Sequence, residues 1–303
     1  MGMTGRVRLP RPPGVVLLLT ASFLFGASAV FAKLSYDNGA GVLTVLAGRS
    51  IGGAVIAVPL ALLLAREIIR SAEHRWRWFV TAGFSAGSSG LYMAALSLDD
   101  VGRVAPIVFV FPVLAAVIGW ALFRVPLGRR LAVALVVGMS GTMLVFGDGI
   151  GVPSKLAAGL LALATAFAAA SYFVFAARWA GKQWLPATAA IFGLGALVYT
   201  PLAVGTGSAL PNGIGWLWLA GFVVLCSVIP YFLQVYAIGS VGSTKAGILA
   251  MLEPVVAVVG AVVVLGEGMT GLQAAGAALV LTSFALATVA SRPRLDVLRR
   301  SRS

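Results

Sequence analysis

Apolar runs of about 20 residues recur from one end of this sequence to the other, each long enough to cross a hydrocarbon core of roughly 30 Å as a helix. In a bilayer every backbone N–H and C=O must be satisfied inside the protein, which leaves only helices and closed barrels. The runs are continuous, whereas barrel strands alternate apolar and polar residues, so the barrel is excluded. Composition agrees. Of 303 residues, 60% are hydrophobic and 10% charged, and the mean hydropathy is +1.02, whereas a soluble domain carries about 25% charged residues. An all-α, multi-pass membrane protein with the lipid bilayer as its solvent is expected.

Ten spans are expected, at 14–35, 42–64, 76–98, 104–123, 130–147, 156–177, 188–206, 215–238, 244–265 and 271–290. The loops are short and rich in turn formers: "YDNGAG" at 36–41, "GDGIGVPS" at 147–154 and "GTGSALPNGIG" at 205–215. None has room for a soluble domain.

The net charge of +13 is spread over short loops and the two ends, which marks topology and not a nucleic-acid partner. Eighteen of the 22 Lys and Arg residues fall on one side of the ten-span arrangement. The other side holds Lys33, Arg103 and Lys155, and Arg49 lies within the second span. By the positive-inside rule both termini are expected in the cytoplasm, with the chain in the cell inner (plasma) membrane. Arg6, Arg8 and Arg11 ahead of an apolar run ending near "ASA" (27–29) resemble a signal peptide. Cleavage there would remove a span that has a counterpart later in the chain, so the segment is expected to stay. The single Cys226 excludes an internal disulfide framework and a Cys-based metal cluster.

The second half echoes the first. "VFAK" (30–33) closes the first span and "VFAAR" (174–178) the sixth, and "VFPVLAAVIG" (110–119) lines up with "LEPVVAVVG" (252–260), setting Pro112 opposite Pro254. Five spans per half is an odd number, so the second copy starts on the other side of the membrane. Two inverted five-span repeats are expected, at 1–151 and 152–303. Such repeats are characteristic of secondary transporters, whose substrate site lies near the midplane between the halves.

On these residues the chain resembles a known family. Ten spans in two repeats, "FGASAVFAK" at 25–33, Arg49 in the second span, "LEP" at 252–254 and "LGE" at 265–267 are similar to the EamA-type branch of the drug/metabolite transporter (DMT) superfamily. Within it the likeness is to YddG-like bacterial amino-acid exporters. The resemblance implies export of small metabolites, amino acids first among them, by alternating access. Where the second repeat has Glu253 and "LGE", the first has Phe111 and "FRVP" (123–126), so the two glutamates are not duplicated.

Two charges stand out inside the membrane. Glu253 lies ~12 Å from the cytoplasmic start of the ninth span. A carboxylate that deep costs a few kcal/mol by insertion scales (about 2.5–3.5), so it is expected to face a cavity or a partner. Pro254 behind it has no N–H for the Ala250 carbonyl and favours a kink. Glu253 therefore either serves substrate, proton or gate, or stabilises the kink. Arg49 sits roughly 8 Å away in height, which allows pairing with Glu253 or snorkelling to headgroups. Arg49, Glu253, Pro254 and Pro112 are the gating or coupling candidates. Ser22, Ser28, Tyr92, Ser171, Tyr172, Tyr231 and Gln234 are the substrate-cavity candidates, Gln234 the sharpest because a buried amide needs partners for both its donor and its acceptor. Lys245 reads as an interfacial anchor.

"GFSAG" (83–87) has the form of a nucleophile elbow but falls in a span, away from the single His74. It is read as small residues that let helices approach. No HExxH and no GxxxxGK segment occurs. No cofactor is implied, and the expectation is a transporter, functional as a monomer, and not an enzyme.

Overall fold

The structure, a computed structural model, describes residues 14–71, 73–147 and 151–289. Arg6, Arg8, Arg11 and the five arginines after residue 290 lie outside the described residues. Every regular element among the described residues is helical: α1 Gly14–Asp37, α2 Val42–Leu64, α3 Arg66–Ser71, α4 Trp76–Leu96, α5 Val101–Val108, α6 Phe111–Phe123, α7 Arg129–Phe146, α8 Leu156–Trp179, α9 Trp184–Gly205, α10 Gly215–Val223, α11 Ile229–Val241, α12 Ser243–Ala250, α13 Leu252–Leu265 and α14 Gly271–Val289. Nine helical stretches among the described residues are long and apolar enough to cross a membrane, counting α5–α6, α10–α11 and α12–α13 as continuous. The tenth expected span is α4, a 21-residue helix whose middle, "GFSAGSSG", is rich in Gly and Ser. Helix α1 runs unbroken through the "ASA" at 27–29.

Three spans are irregular, each next to a proline. Pro112 and Pro254 lack the N–H that would continue the helical ladder, and the chain breaks just ahead of them, at Phe109–Val110 and at Met251. The Met251 N–H bonds the Ile248 carbonyl at 3.2 Å, a tightened turn. Ahead of Pro230 the irregularity has the opposite sense: Val224–Val228 forms a π-helical turn, with the Ile229 N–H reaching back five residues to the Val224 carbonyl. Such turns occur often at functional positions.

Polarity is distributed as a bilayer demands. Leu63, Val263 and Leu197 are 77%, 76% and 75% exposed, whereas Ser22, Ser50, Ser85, Thr165, Ser171, Thr188 and Gln234 are buried. Lipid already solvates large apolar side chains, so burying them gains little between helices. Close approach of small residues and interhelical hydrogen bonds hold the bundle instead. The α7–α14 pair has the most extensive packing. A Cβ on Gly141 would stand 2.7 Å from the Gly276 carbonyl oxygen and one on Gly276 2.6 Å from that of Gly141, so only glycine fits at either crossing position.

Packing between helices repeats when the halves are exchanged. α1 packs on α13 as α8 packs on α6, and α1 on α11 as α8 on α4. α2 packs on α10 as α9 packs on α4. α7 and α14 contact chiefly each other and leave the centre to the remaining spans.

Candidate functional site

Helix α4 presents Ser85, Ser88, Ser89 and Tyr92 at positions i, i+3, i+4 and i+7, one face of a helix. Arg49 of α2 stands against the Ser85–Ser89 part of this stripe, and its Nη2 donates to Ser89 Oγ at 2.8 Å. The Arg49 guanidinium lies 5.8 Å from the ring centroid of Tyr231 on α11. The hydroxyls of Tyr231 and Ser85 share a hydrogen bond of 3.2 Å. The Tyr231 ring is fixed edge-on by Phe25 of α1 at 5.1 Å and by Phe192 of α9 at 5.2 Å. Tyr199 of α9 donates its hydroxyl proton to the Ala86 carbonyl. Arg49, Ser50, Ser85, Phe192, Tyr199 and Tyr231 line a cavity of about 10 Å³ between the halves. That is room for about one water.

On the other side of Tyr231 the cluster continues into α8. The Tyr172 ring lies 6.3 Å from that of Tyr231, and its hydroxyl donates to Gln234 Oε1 at 2.8 Å. The buried amide thus has the acceptor bond that its burial demands. Glu253 stands within electrostatic reach of Tyr172. It is in the first turn of α13, where unsatisfied N–H groups favour a negative side chain. The pairing with Arg49 that the sequence allows is not formed. The ion pairs among the described residues are Lys33–Asp37, Glu73–His74 and Asp99–Arg103. Glu253 itself is helical, and the interruption expected at that residue falls at Met251.

The sequence candidates therefore divide. Arg49, Tyr172, Tyr231 and Gln234 form one connected cluster with Glu253 at its edge. Tyr92 packs apart, against the small apolar cluster of Ala95, Val104 and Ala162. Ser22 and Ser171 are buried, Ser28 is half-buried, and none of the three joins the ring and hydrogen-bond contacts around Tyr231. Pro112 and Pro254 are buried at the helix breaks. Lys245, expected as an interfacial anchor, is buried in α12, whose residues are all buried. Sequence reasoning passed over Ser85, Ser89, Phe192 and Tyr199. A larger groove of about 740 Å³ lies between α2, α4 and α9, but its walls are residues such as Val58, Leu62, Phe79 and Leu197, so it offers no comparable polar chemistry.

Contacts also join the two halves at each end of the bundle. At one end the Gly41 N–H bonds the Ala209 carbonyl at 2.8 Å, and the Asn212 N–H the Asn38 carbonyl at 2.8 Å. There the Thr44 N–H and hydroxyl also meet Ser208 at 3.0–3.1 Å. At the other end Trp78 Nε1 donates to Gln183 Oε1 at 2.7 Å, Trp76 meets Trp179 edge-on at 5.3 Å, and Arg77 lies over both of those rings at 5.8 and 5.7 Å.

A membrane bundle with a small charged and hydroxyl-lined interior between its two halves is compatible with a carrier. No group of three or more His, Cys, Asp or Glu able to hold a metal occurs among the described residues. The profile of the EamA-like transporter family matches residues 12–147 and again 156–289, and the chain belongs to that family. It is a transporter and not an enzyme, and a multi-pass protein of the inner membrane. It is 25% identical to the uncharacterized transporter YwfM of Bacillus subtilis, over 91% of this chain and 94% of that one. It is 28% identical to the threonine/homoserine exporter RhtA of Escherichia coli K12 over 67% of this chain and 65% of that one. With RhtA of Salmonella typhimurium it shares 28% over 59% and 56%. The matches to RhtA thus span less than two thirds of the exporter's length. A solved crystal structure superposes with a TM-score of 0.80 at 21% identity, covering 96% of this chain and 99% of the other, a likeness of fold.

Proposed function

We propose that the chain exports amino acids across the bacterial inner membrane by alternating access between two inverted five-span halves, residues 1–151 and 152–303, with both termini in the cytoplasm. α4 is then the third of ten spans. The observation that carries this reading is the cluster of Arg49, Ser85, Ser89, Tyr172, Tyr231 and Gln234, drawn from both halves around an internal cavity. The RhtA relatives, named for threonine and homoserine, support the substrate class. The exchange symmetry of helix packing supports two states related by swapping the halves. In this reading Tyr172, Tyr231 and Gln234 line the substrate site, and Ser22, Ser28, Ser171 and Tyr92 join the cavity as it opens. Pro112 and Pro254 set the hinges, and Glu253 holds the start of α13. Transport by a single chain is sufficient.

The test is reconstitution of the full chain in liposomes with a panel of labelled amino acids, with and without a pH gradient. Saturable transport of at least one of them is expected. Failure of every amino acid, in vesicles where the folded protein is verified, would overturn the proposal. Glu253→Gln separates coupling from structure. Lower thermal stability with unchanged transport per folded molecule is expected, whereas loss of pH-driven accumulation alone would assign the carboxylate to proton coupling.

A further inference from the structure

Arg49 is a permanent cation held within an apolar span, and such a charge costs about 2.5–3.5 kcal/mol on insertion scales. Its guanidinium has five N–H donors. One side-chain hydrogen bond, to Ser89, engages them, and the Tyr231 face supplies a cation–π contact, a type of interaction worth about 0.5–2 kcal/mol. Among the described residues no carboxylate lies within ion-pair distance of it. The groups around it are hydroxyls and rings: Ser50, Ser85, Phe192, Tyr199 and Tyr231. A planar fork of donors facing an internal cavity, with hydroxyls beside it and no acid of its own, matches a ligand carboxylate, which a guanidinium binds through two parallel hydrogen bonds.

We infer that Arg49 is the anchor for the carboxylate of the transported molecule, and that the Tyr231 ring covers the guanidinium when the site is empty. This rests on the amino-acid reading above and deepens it: the protein selects molecules with a free carboxylate. The cavity of about 10 Å³ is far below the roughly 300–1,000 Å³ of small-molecule sites. Binding therefore requires displacement of Tyr231, whose ring is held by Phe25, Phe192 and the Ser85 hydroxyl. The turn that must yield is the π-helical one at Val224–Val228, three residues ahead of it. Ser89 positions the guanidinium through its single hydrogen bond.

The test uses the full wild-type chain in proteoliposomes and counterflow of whichever labelled amino acid the panel identifies, with L-threonine as the first probe. Competitors are the same amino acid as the free acid, the primary amide and the methyl ester. The free acid is expected to compete at least about tenfold better than either derivative, because each leaves the guanidinium without its anionic partner. Arg49→Lys, which keeps the charge and loses the fork, is expected to raise KM about tenfold with a smaller change in kcat. Ser89→Ala is expected to raise KM a few-fold. Equal competition by acid and amide would overturn the carboxylate assignment and leave amino-acid export standing. Wild-type KM in a folded Arg49→Lys protein would also overturn it. Absence of transport for every amino acid would instead remove the reading on which it rests. Because the competition arm needs no mutant, a variant that fails to fold leaves the inference testable.

Discussion

The two ends of the bundle close the same interior with different chemistry. Where Asn38, Gly41 and Thr44 meet Ser208, Ala209 and Asn212, closure is made of backbone and hydroxyl hydrogen bonds. At the end of Trp76, Trp78 and Arg77, it is made of indole rings, a guanidinium between them and one bond to Gln183. Water can replace each bond lost at the polar end, so opening it costs little. Opening the aromatic end separates rings and strips a cation of its π contacts, for which water is a poorer substitute. If the two ends open in turn, as proposed, they differ in how firmly each is held, and the aromatic end is expected to be the slower to open.

The largest effect that can break this comparison is steric. A Cβ on Gly41 would collide with Ser208 Oγ, and overpacking of that kind costs about 1–3 kcal/mol. Gly41→Val is expected to hold the polar end open and cut transport about tenfold or more. Labelling of a Ser50→Cys probe by an impermeant thiol reagent should rise in parallel, the buried Cys226 serving as internal control. Unchanged transport and labelling would show that this end does not need to close.

A smaller effect belongs to the aromatic end. Trp78→Phe and Gln183→Leu each remove one hydrogen bond, worth about 0.5–1.5 kcal/mol, and are expected to bias the protein several-fold toward opening there. The double variant should be no worse than either single, which a double-mutant cycle of probe accessibility reads directly. Full additivity would mean that the bond does not hold the end shut. Smaller still, Thr44→Val removes the hydroxyl contacts to Ser208, which water replaces. A shift of about twofold is expected in the same assay, and one as large as that of Trp78→Phe would erase the distinction between the ends.

The last expectation concerns pH. Asp99, between α4 and α5, is half-buried; its partial desolvation raises its pKa, but N–H groups of Asp100 and Ser154, the Ser154 hydroxyl and Arg103 outweigh this and hold it down at about 2. A carboxylate whose pKa is lowered by folding contributes stability that is present above its unfolded value, about 3.9, and lost as pH falls toward 2. The melting temperature should therefore be insensitive to this group from pH 7 to about 5 and fall below that, with Asp99→Asn flattening the acid limb. An identical acid limb in the variant would remove Asp99 from the account.

Much of this was readable in advance because the solvent is so restrictive. Apolar length placed every span but α4, and Pro254 signalled a break in the ninth span, which falls at Met251 and not at Glu253. Gln234, Tyr172 and Tyr231 came together because a buried amide in lipid must find a partner. Ser85 and Ser89 were missed because serine in a helix as rich in glycine as α4 reads as a packing residue. The signal was the spacing of Ser85, Ser88, Ser89 and Tyr92 along one face. Lys245 was misplaced because distance along a span measures depth but not which neighbours cover a side chain. The separation of Arg49 from Glu253 was equally invisible, since heights estimated along two helices say nothing about the rings standing between them.

The π-helical turn at Val224–Val228 has a consequence that no single side chain carries. One residue more than an α-turn advances everything downstream by about 100° around the axis, since an α-helix has 3.6 residues per turn. Were the same residues wound as a regular α-helix, Tyr231 and Gln234 would be turned away from Arg49 and Tyr172. The interior is thus addressed partly by chain length, and a scan that swaps residue for residue leaves that parameter fixed. Deleting one position in this turn lets it close as a regular α-turn with α11 in its present phase, so the cluster is expected to keep its facing.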